Sequence, residues 1–177
     1  MELKAASRRA ALAEDLRAEL GAGENLVWLG GPDARATFRK MRPLLWTGIP
    51  WTAIAGIIAV FHGAGLVGMI MGLALAAGPF VNAWLAANTI YALTDRRAIV
   101  LCRPIGGRTL VSVDLAGADR EPEILRSYGG CGTVLFASNL PPRRRYTDYR
   151  GKFGFWDVPD PDGVAAALRP AIRNFRR

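Results

Sequence analysis

No Asp, Glu, Lys or Arg occurs in the fifty-two residues from Pro43 to Thr94. A soluble domain carries charge over its surface. A buried, charge-free helical hairpin would need more surrounding chain than the remaining residues supply. The run is dense in Leu, Ile, Ala, Gly, Trp and Met, and a hydrocarbon core of about 30 Å takes about 20 apolar residues per helix, so it fits two crossings. The other scarcities remove chemistry. The single histidine, His62, has no acidic neighbour, so no His-dependent triad is assembled. The only two cysteines, Cys102 and Cys131, form no CxxC and have no His nearby, which leaves neither metal nor redox chemistry. Apart from His62 at its break and Tyr91 near its end, the run holds no ionisable side chain, which argues against a proton or ion path in this chain alone.

Within the run, His62-Gly63-Ala64-Gly65 is the one flexible polar break. It divides a first span, Leu44–Phe61, from a second, Gly65–Ala86, extending toward Ile90. Pro50 falls near the first turn of its span, where the missing N–H costs little, and Pro79 falls mid-span and should kink the second helix. Gly68 and Gly72 make a small-xxx-small face whose natural partner is the other helix of the hairpin. Asn82 is expected to hydrogen-bond inside the hairpin. The run begins after a mixed-charge segment, too late for a cleavable signal peptide, and nothing reads as processed.

Charge sets the orientation. The chain has 177 residues and a formal charge of +8, of which residues 1–43 carry +2 and residues 91–177 carry +6. Arg39, Lys40 and Arg42 precede the first span, with Arg35 just upstream, and Arg96 and Arg97 follow the second, whereas the connecting loop has only His62. The positive-inside rule puts both termini in the cytoplasm and a four-residue loop outside. In that compartment the two thiols are reduced, and in apolar, strand-like surroundings they read as small core hydrophobes. A basic balance beside a hairpin points to anionic lipid rather than to nucleic acid.

Four segments follow: an amphipathic helix in 1–22, a strand and juxtamembrane stretch in 23–43, the hairpin in 44–90, and a β domain in 91–177. Leu12, Leu16 and Leu20 put a narrow apolar stripe on a helix over Leu3–Leu20, suited to docking on a partner helix or on the domain, or to standing in solvent. Leu26–Leu29 is a short strand closed by Gly30-Gly31-Pro32, after which Asp33 caps a helix running into the first span. Beyond the hairpin the period changes to that of strands, over Thr89–Thr94, Ala98–Arg103, Thr109–Leu115, Glu123–Tyr128, Thr133–Ala137 and Phe153–Val158. Asp160 as N-cap and Pro161 at the first position open a terminal helix packed through Val164, Leu168, Ile172 and Phe175, with Pro170 able to kink it. Short antiparallel strands followed by one helix make a small β-sandwich or open barrel capped by that helix.

This order resembles the bacterial membrane-anchored pleckstrin-homology-like (PH-like) family, whose members place a transmembrane hairpin immediately before the first strand of the domain. The resemblance rests on Glu24, Trp28, Gly30 and Pro32 before the hairpin and on Tyr91-Ala92-Leu93-Thr94-Asp95-Arg96-Arg97 after it. The Gly-rich strand entry Gly129 to Phe136 and the ending Phe155 to Val164 complete it, over roughly residues 23–175. Proteins with this anchor include the photosynthetic-complex assembly factor of purple bacteria. What the resemblance implies is a PH-like fold at a bacterial inner membrane, and little about ligand.

No catalytic constellation emerges, so no enzyme, cofactor or metal is expected. Asp157, Asp160 and Asp162 are explained by capping and the helix dipole better than by a cation. Gly129, Gly130 and Gly132 lack the Lys-Ser/Thr of a phosphate loop and read as a strand bend. The candidate contact is cationic and aromatic: Arg143, Arg144, Arg145, Tyr146, Tyr149 and Arg150, a loop stiffened by Pro141-Pro142. It suits a solvated turn, a membrane-protein partner or an acidic lipid surface, where each basic residue contributes about 1 kcal/mol. The expected activity is that of a non-catalytic, membrane-anchored scaffold assisting a membrane complex; the alternative is an accessory subunit of a transporter or channel acting through its hairpin.

Overall fold

The computed structural model describes residues 2–63, 65–127, 130–138, 146–148 and 150–175, the side chains of 2–8 and 120 excepted. The chain forms two compact units, Ala34–Trp84 and, from both sides of it in sequence, Met1–Asp33 with Leu85–Arg177. The β domain therefore includes the N-terminal segment and is not confined to residues 91–177.

In the first unit, α1 (Glu2–Ala18) is followed by β1 (Leu26–Gly30), and the chain returns at β2 (Thr89–Thr94). β3 (Arg97–Cys102), β4 (Thr109–Asp114), β5 (Ala118–Arg126), β6 (Gly132–Ala137), β7 (Phe153–Val158) and α5 (Pro161–Phe175) complete it. Two antiparallel sheets result, in the orders β1-β2-β3-β4 and β5-β6-β7. The residues flanking the inserted segment are thus neighbours in one sheet, with Gly30 opposite Tyr91.

β2 and β3 are buried on both faces, and two layers account for this. Tyr91, Leu93, Ala98 and Val100 face the main core with Val134, Phe136, Phe153 and Phe155 of the second sheet and Val164, Leu168 and Ile172 of α5. The alternate residues Ile90, Ala92, Ile99 and Leu101 are covered by Leu12 and Leu16 of α1. The leucine stripe of α1 therefore docks on the domain rather than standing in solvent. An aromatic stack crosses the core: Phe155 lies 4.9 Å from Tyr91 and 5.6 Å from Trp28 between ring centroids. The buried Tyr91 hydroxyl donates to the Trp156 carbonyl at 3.2 Å, and burial pushes its ionisation well above the usual phenol range.

The capping reading of α5 holds in detail. Asp160 Oδ1 accepts the Gly163 N–H at 2.9 Å, the Asp160 carbonyl accepts that of Val164, and Pro161 sits in the first turn where it lacks only an N–H with no partner. Phe175 does not join the stripe; it is exposed, beyond the reach of the sheet. β5 starts earlier than the strand pattern suggests and ends at Arg126, because a single 3-10 turn over Leu115–Gly117 delivers the chain directly into it.

The second unit contains α2 (Ala34–Met41), α3 (Pro43–Phe61) and most of α4 (Gly65–Ala87). α2 does not run straight into the span. Pro43 has no N–H to continue the ladder, so α3 starts afresh there with the proline in its first turn. That start makes Pro50 an interior residue rather than a first-turn one, and α4 is helical through Pro79. Both long helices are apolar enough to cross a membrane, and their large side chains face outward, among them Trp46 at 71 %, Phe61 at 76 % and Val60 at 81 % exposed. They meet through small residues. A methyl group on Gly72 would strike the Thr52 hydroxyl and main chain, and one on Gly48 would lie 2.6 Å from the Ala76 nitrogen. Trp51 Nε1 donates across to the Gly68 carbonyl at 3.1 Å, whereas Asn82 bonds within its own helix, to the Gly78 carbonyl.

Candidate functional site

The cationic loop lies between β6 and β7. Arg143, Arg144, Arg145 and Tyr149 fall outside the described residues, so the geometry concerns Tyr146 and Arg150. Tyr146 has a left-handed backbone, φ 70°, and its ring packs edge-on against Tyr91 at 6.3 Å. Its carbonyl accepts Trp156 Nε1–H at 3.0 Å and the Gly154 N–H at 3.3 Å. Tyr146 is thus a half-buried anchor that pins the loop to the core. The return of the loop is organised by Asp148, whose Oδ1 accepts the main-chain N–H of Arg150 at 2.8 Å and of Lys152 at 2.7 Å. Lys152 reaches β5 to pair with Glu123 at 2.6 Å, and the carboxylate beside it raises the ammonium pKa.

Arg150 does more than decorate a loop. With Thr147, Asp148, Glu123, Leu125, Leu135 and Trp156 it lines an open cleft of about 630 Å³ on the β5-β6-β7 sheet. The cleft has an apolar floor and a rim of both charge signs. The alternation of β5 and β7 carries a signal for it, since Glu123 and Leu125 flank the core-packed Ile124 and Trp156 follows the core residue Phe155.

The five basic residues flanking the spans divide into different roles. Arg39 and Lys40 occupy the last turn of α2 and Arg42 the link to α3. Arg96 is exposed on the β2–β3 turn. Arg97 is committed to a cluster: its Nε donates to Glu24 Oε1 and its Nη2 to Glu24 Oε2, both at 2.8 Å, while Nη2 also reaches the Glu19 carbonyl at 3.0 Å. Thr94 Oγ1 accepts the Arg97 N–H at 2.9 Å and lies 2.8 Å from Glu24 Oε1. The Glu24 side chain is only 3 % exposed, and the Arg97 guanidinium bonded to it holds its pKa at about 2. The pair ties the segment before β1 to the β2–β3 turn, at the far end of β2 from Thr89. Adjacency in sequence to the second span suggested a juxtamembrane role; six residues of extended strand, roughly 20 Å, intervene.

No family model, curated protein or solved structure matches the chain. Among the described residues no three His, Cys, Asp or Glu side chains are grouped to hold a metal. The three aspartates of the β7–α5 region are separately engaged. Asp160 caps α5, Asp162 pairs with Arg126 at 2.9 Å, and the Asp157 carbonyl accepts the Asp33 N–H at 2.8 Å. Of the glycine run, Gly129 lies outside the described residues, Gly130 has φ 83° in the β5–β6 connection, where Ser127 N–H donates to the Cys131 carbonyl at 2.9 Å, and Gly132 opens β6. Both cysteines are buried and unbridged, with Cys131 Sγ 3.7 Å from Asp33 Oδ2.

Proposed function

We propose that this protein is a non-catalytic scaffold in which a PH-like β domain is held at a bacterial inner membrane by a two-helix transmembrane hairpin, both termini lying in the cytoplasm. The observation that carries the reading is the insertion of two long, outward-apolar helices between the adjacent strands β1 and β2 of one sheet. Side chains such as Val60 and Phe61 on a water-exposed hairpin would form an apolar surface far larger than soluble monomers tolerate. Among the described residues, seven strands in sheets of four and three, followed by a terminal helix, support the PH-like assignment. Work of this kind is recruitment: the domain offers the loop around Arg150 and the adjoining cleft to a membrane-protein client during assembly of a complex.

Two measurements test it. Reporter fusions at Gly63 and at Arg177 should report opposite sides of the membrane, and the same side for both would sink the hairpin. Capture of the full chain in mild detergent, with mass spectrometry, should recover integral membrane proteins, and their loss on combined substitution of Arg143, Arg144, Arg145 and Arg150 by Ala would assign the loop. Recovery of a transporter or channel that this variant retains would favour an accessory subunit acting through its hairpin.

A further inference from the structure

The turn between β3 and β4 is Arg103-Pro104-Ile105-Gly106-Gly107-Arg108, and its most prominent side chain is apolar. Ile105 is 89 % exposed. Gly107 N–H donates to the Pro104 carbonyl at 3.3 Å, and Gly106, with φ 83°, supplies the left-handed corner that leaves Ile105 at the tip. A single exposed isoleucine is ordinary on a protein surface. Its place in this fold is not ordinary. Cys102 pairs with Thr89 in the sheet, and Arg103 N–H donates to the Asn88 carbonyl at 2.9 Å. Asn88 follows Ala87, the last residue of the apolar helix α4. The turn is therefore hydrogen-bonded to the residue at which the chain leaves that helix.

Resting on the membrane reading above, we propose that the Pro104–Gly107 turn is a lipid-contact wedge, with Ile105 inserted in the headgroup layer of the bilayer that holds α4. Ile105 lies two residues, about 7 Å of chain, beyond the bond to Asn88. The headgroup layer is itself roughly 5–7 Å deep on each side, so the tip stays within it. The charges beside the tip are already matched within the domain. Arg103 pairs with Asp15 at 3.0 Å and Arg108 with Glu19 at 2.9 Å, both carboxylates belonging to α1. An apolar tip with neutralised flanks enters the interface by hydrophobic transfer, so contact does not require acidic lipid.

The test uses the full chain in liposomes, with Cys102→Ala and Cys131→Ala removing the native thiols and an environment-sensitive fluorophore on Ile105→Cys. In vesicles of zwitterionic lipid alone, a nitroxide at a shallow acyl position should quench this probe strongly and its emission should be blue-shifted. The same fluorophore on Arg96→Cys, at the other end of the sheet, should be unquenched. A probe on Val60→Cys, quenched by a deep nitroxide, reports insertion of the hairpin independently. A quenched Val60 probe with an unquenched Ile105 probe would overturn the wedge and leave the membrane reading intact; loss of both signals would overturn both. Quenching at Ile105 that appears only with acidic lipid would refute the hydrophobic mechanism. Gly107→Cys, where a side chain meets open space, provides a second probe site if Ile105→Cys disturbs the turn.

Discussion

The Glu24–Arg97 pair makes a quantitative prediction. Glu24 is held at a pKa of about 2 against an ordinary value of 4.5, first by the Arg97 hydrogen bonds, then by the Gly21 N–H and Thr94 hydroxyl, with burial opposing them. Each unit of difference between folded and unfolded chain is about 1.4 kcal/mol, so the charged form contributes about 3 kcal/mol at neutral pH. Because the folded pKa is depressed, that contribution is complete above the unfolded value. It is lost as pH falls from about 5 through the folded value near 2. Glu24→Gln keeps the shape and removes the charge. In detergent-solubilised full chain, melting followed by near-ultraviolet circular dichroism should drop by roughly 6–12 °C at pH 7, taking 2–4 °C per kcal/mol for a chain of this size. The gap between wild type and variant should then narrow as pH falls toward 2 and close below it, where both carry a neutral group at position 24. A gap that stays constant with pH would mean the loss comes from altered packing, and a gap near zero at pH 7 would mean the pair is no more than a solvated surface bridge.

Two further substitutions test the layers around the sheet. Leu16→Ala removes a fully buried side chain from the contact between α1 and Ile90, Ala92, Ile99 and Leu101; it should cost about 2–5 kcal/mol, or less if α1 detaches first, and hydrogen exchange in α1 should rise before that in β6. Unchanged exchange in α1 would show that the leucine stripe does not hold the helix. Leu168→Asp buries an unpaired carboxylate between α5 and the sheets and should destabilise the domain by several kcal/mol in the same melting assay, and a variant melting with the wild type would refute the plugging role of α5.

Much of the fold is written locally. The strands from Thr89 onward follow β-branched and aromatic runs punctuated by Gly, Pro and Asp, and the start of α5 follows Asp160-Pro161, where one side chain accepts a main-chain N–H and the other residue needs none. What was not legible is what depends on contacts across long stretches of chain. Nothing within Leu26–Gly30 says that it pairs with Thr89–Thr94, more than fifty residues away across an apolar hairpin. The partner of the α1 stripe is equally invisible from α1 itself, because alternation on β2 and β3 is hidden when both faces are buried. The Arg97–Glu24 pair is invisible for a related reason, since its two members lie 73 residues apart in sequence. The cationic loop was read from composition alone, and Tyr146 shows the limit of that, since an aromatic in a polar loop serves as its anchor to Tyr91.

The position of the insertion explains why one chain accommodates both parts. β1 and β2 are hydrogen-bonded neighbours, so the points at which the chain leaves and re-enters the sheet are an interstrand spacing apart, about 5 Å. Gly31 marks how close they come: a methyl group there would lie 2.9 Å from the Thr89 carbonyl. The closure entropy of the long insertion is recovered when α3 and α4 pair with each other, through Gly48, Gly68 and Gly72, independently of the strands. The hairpin and the sheet are therefore separate folding problems, the chain leaving β1 through α2 and returning from α4 into β2.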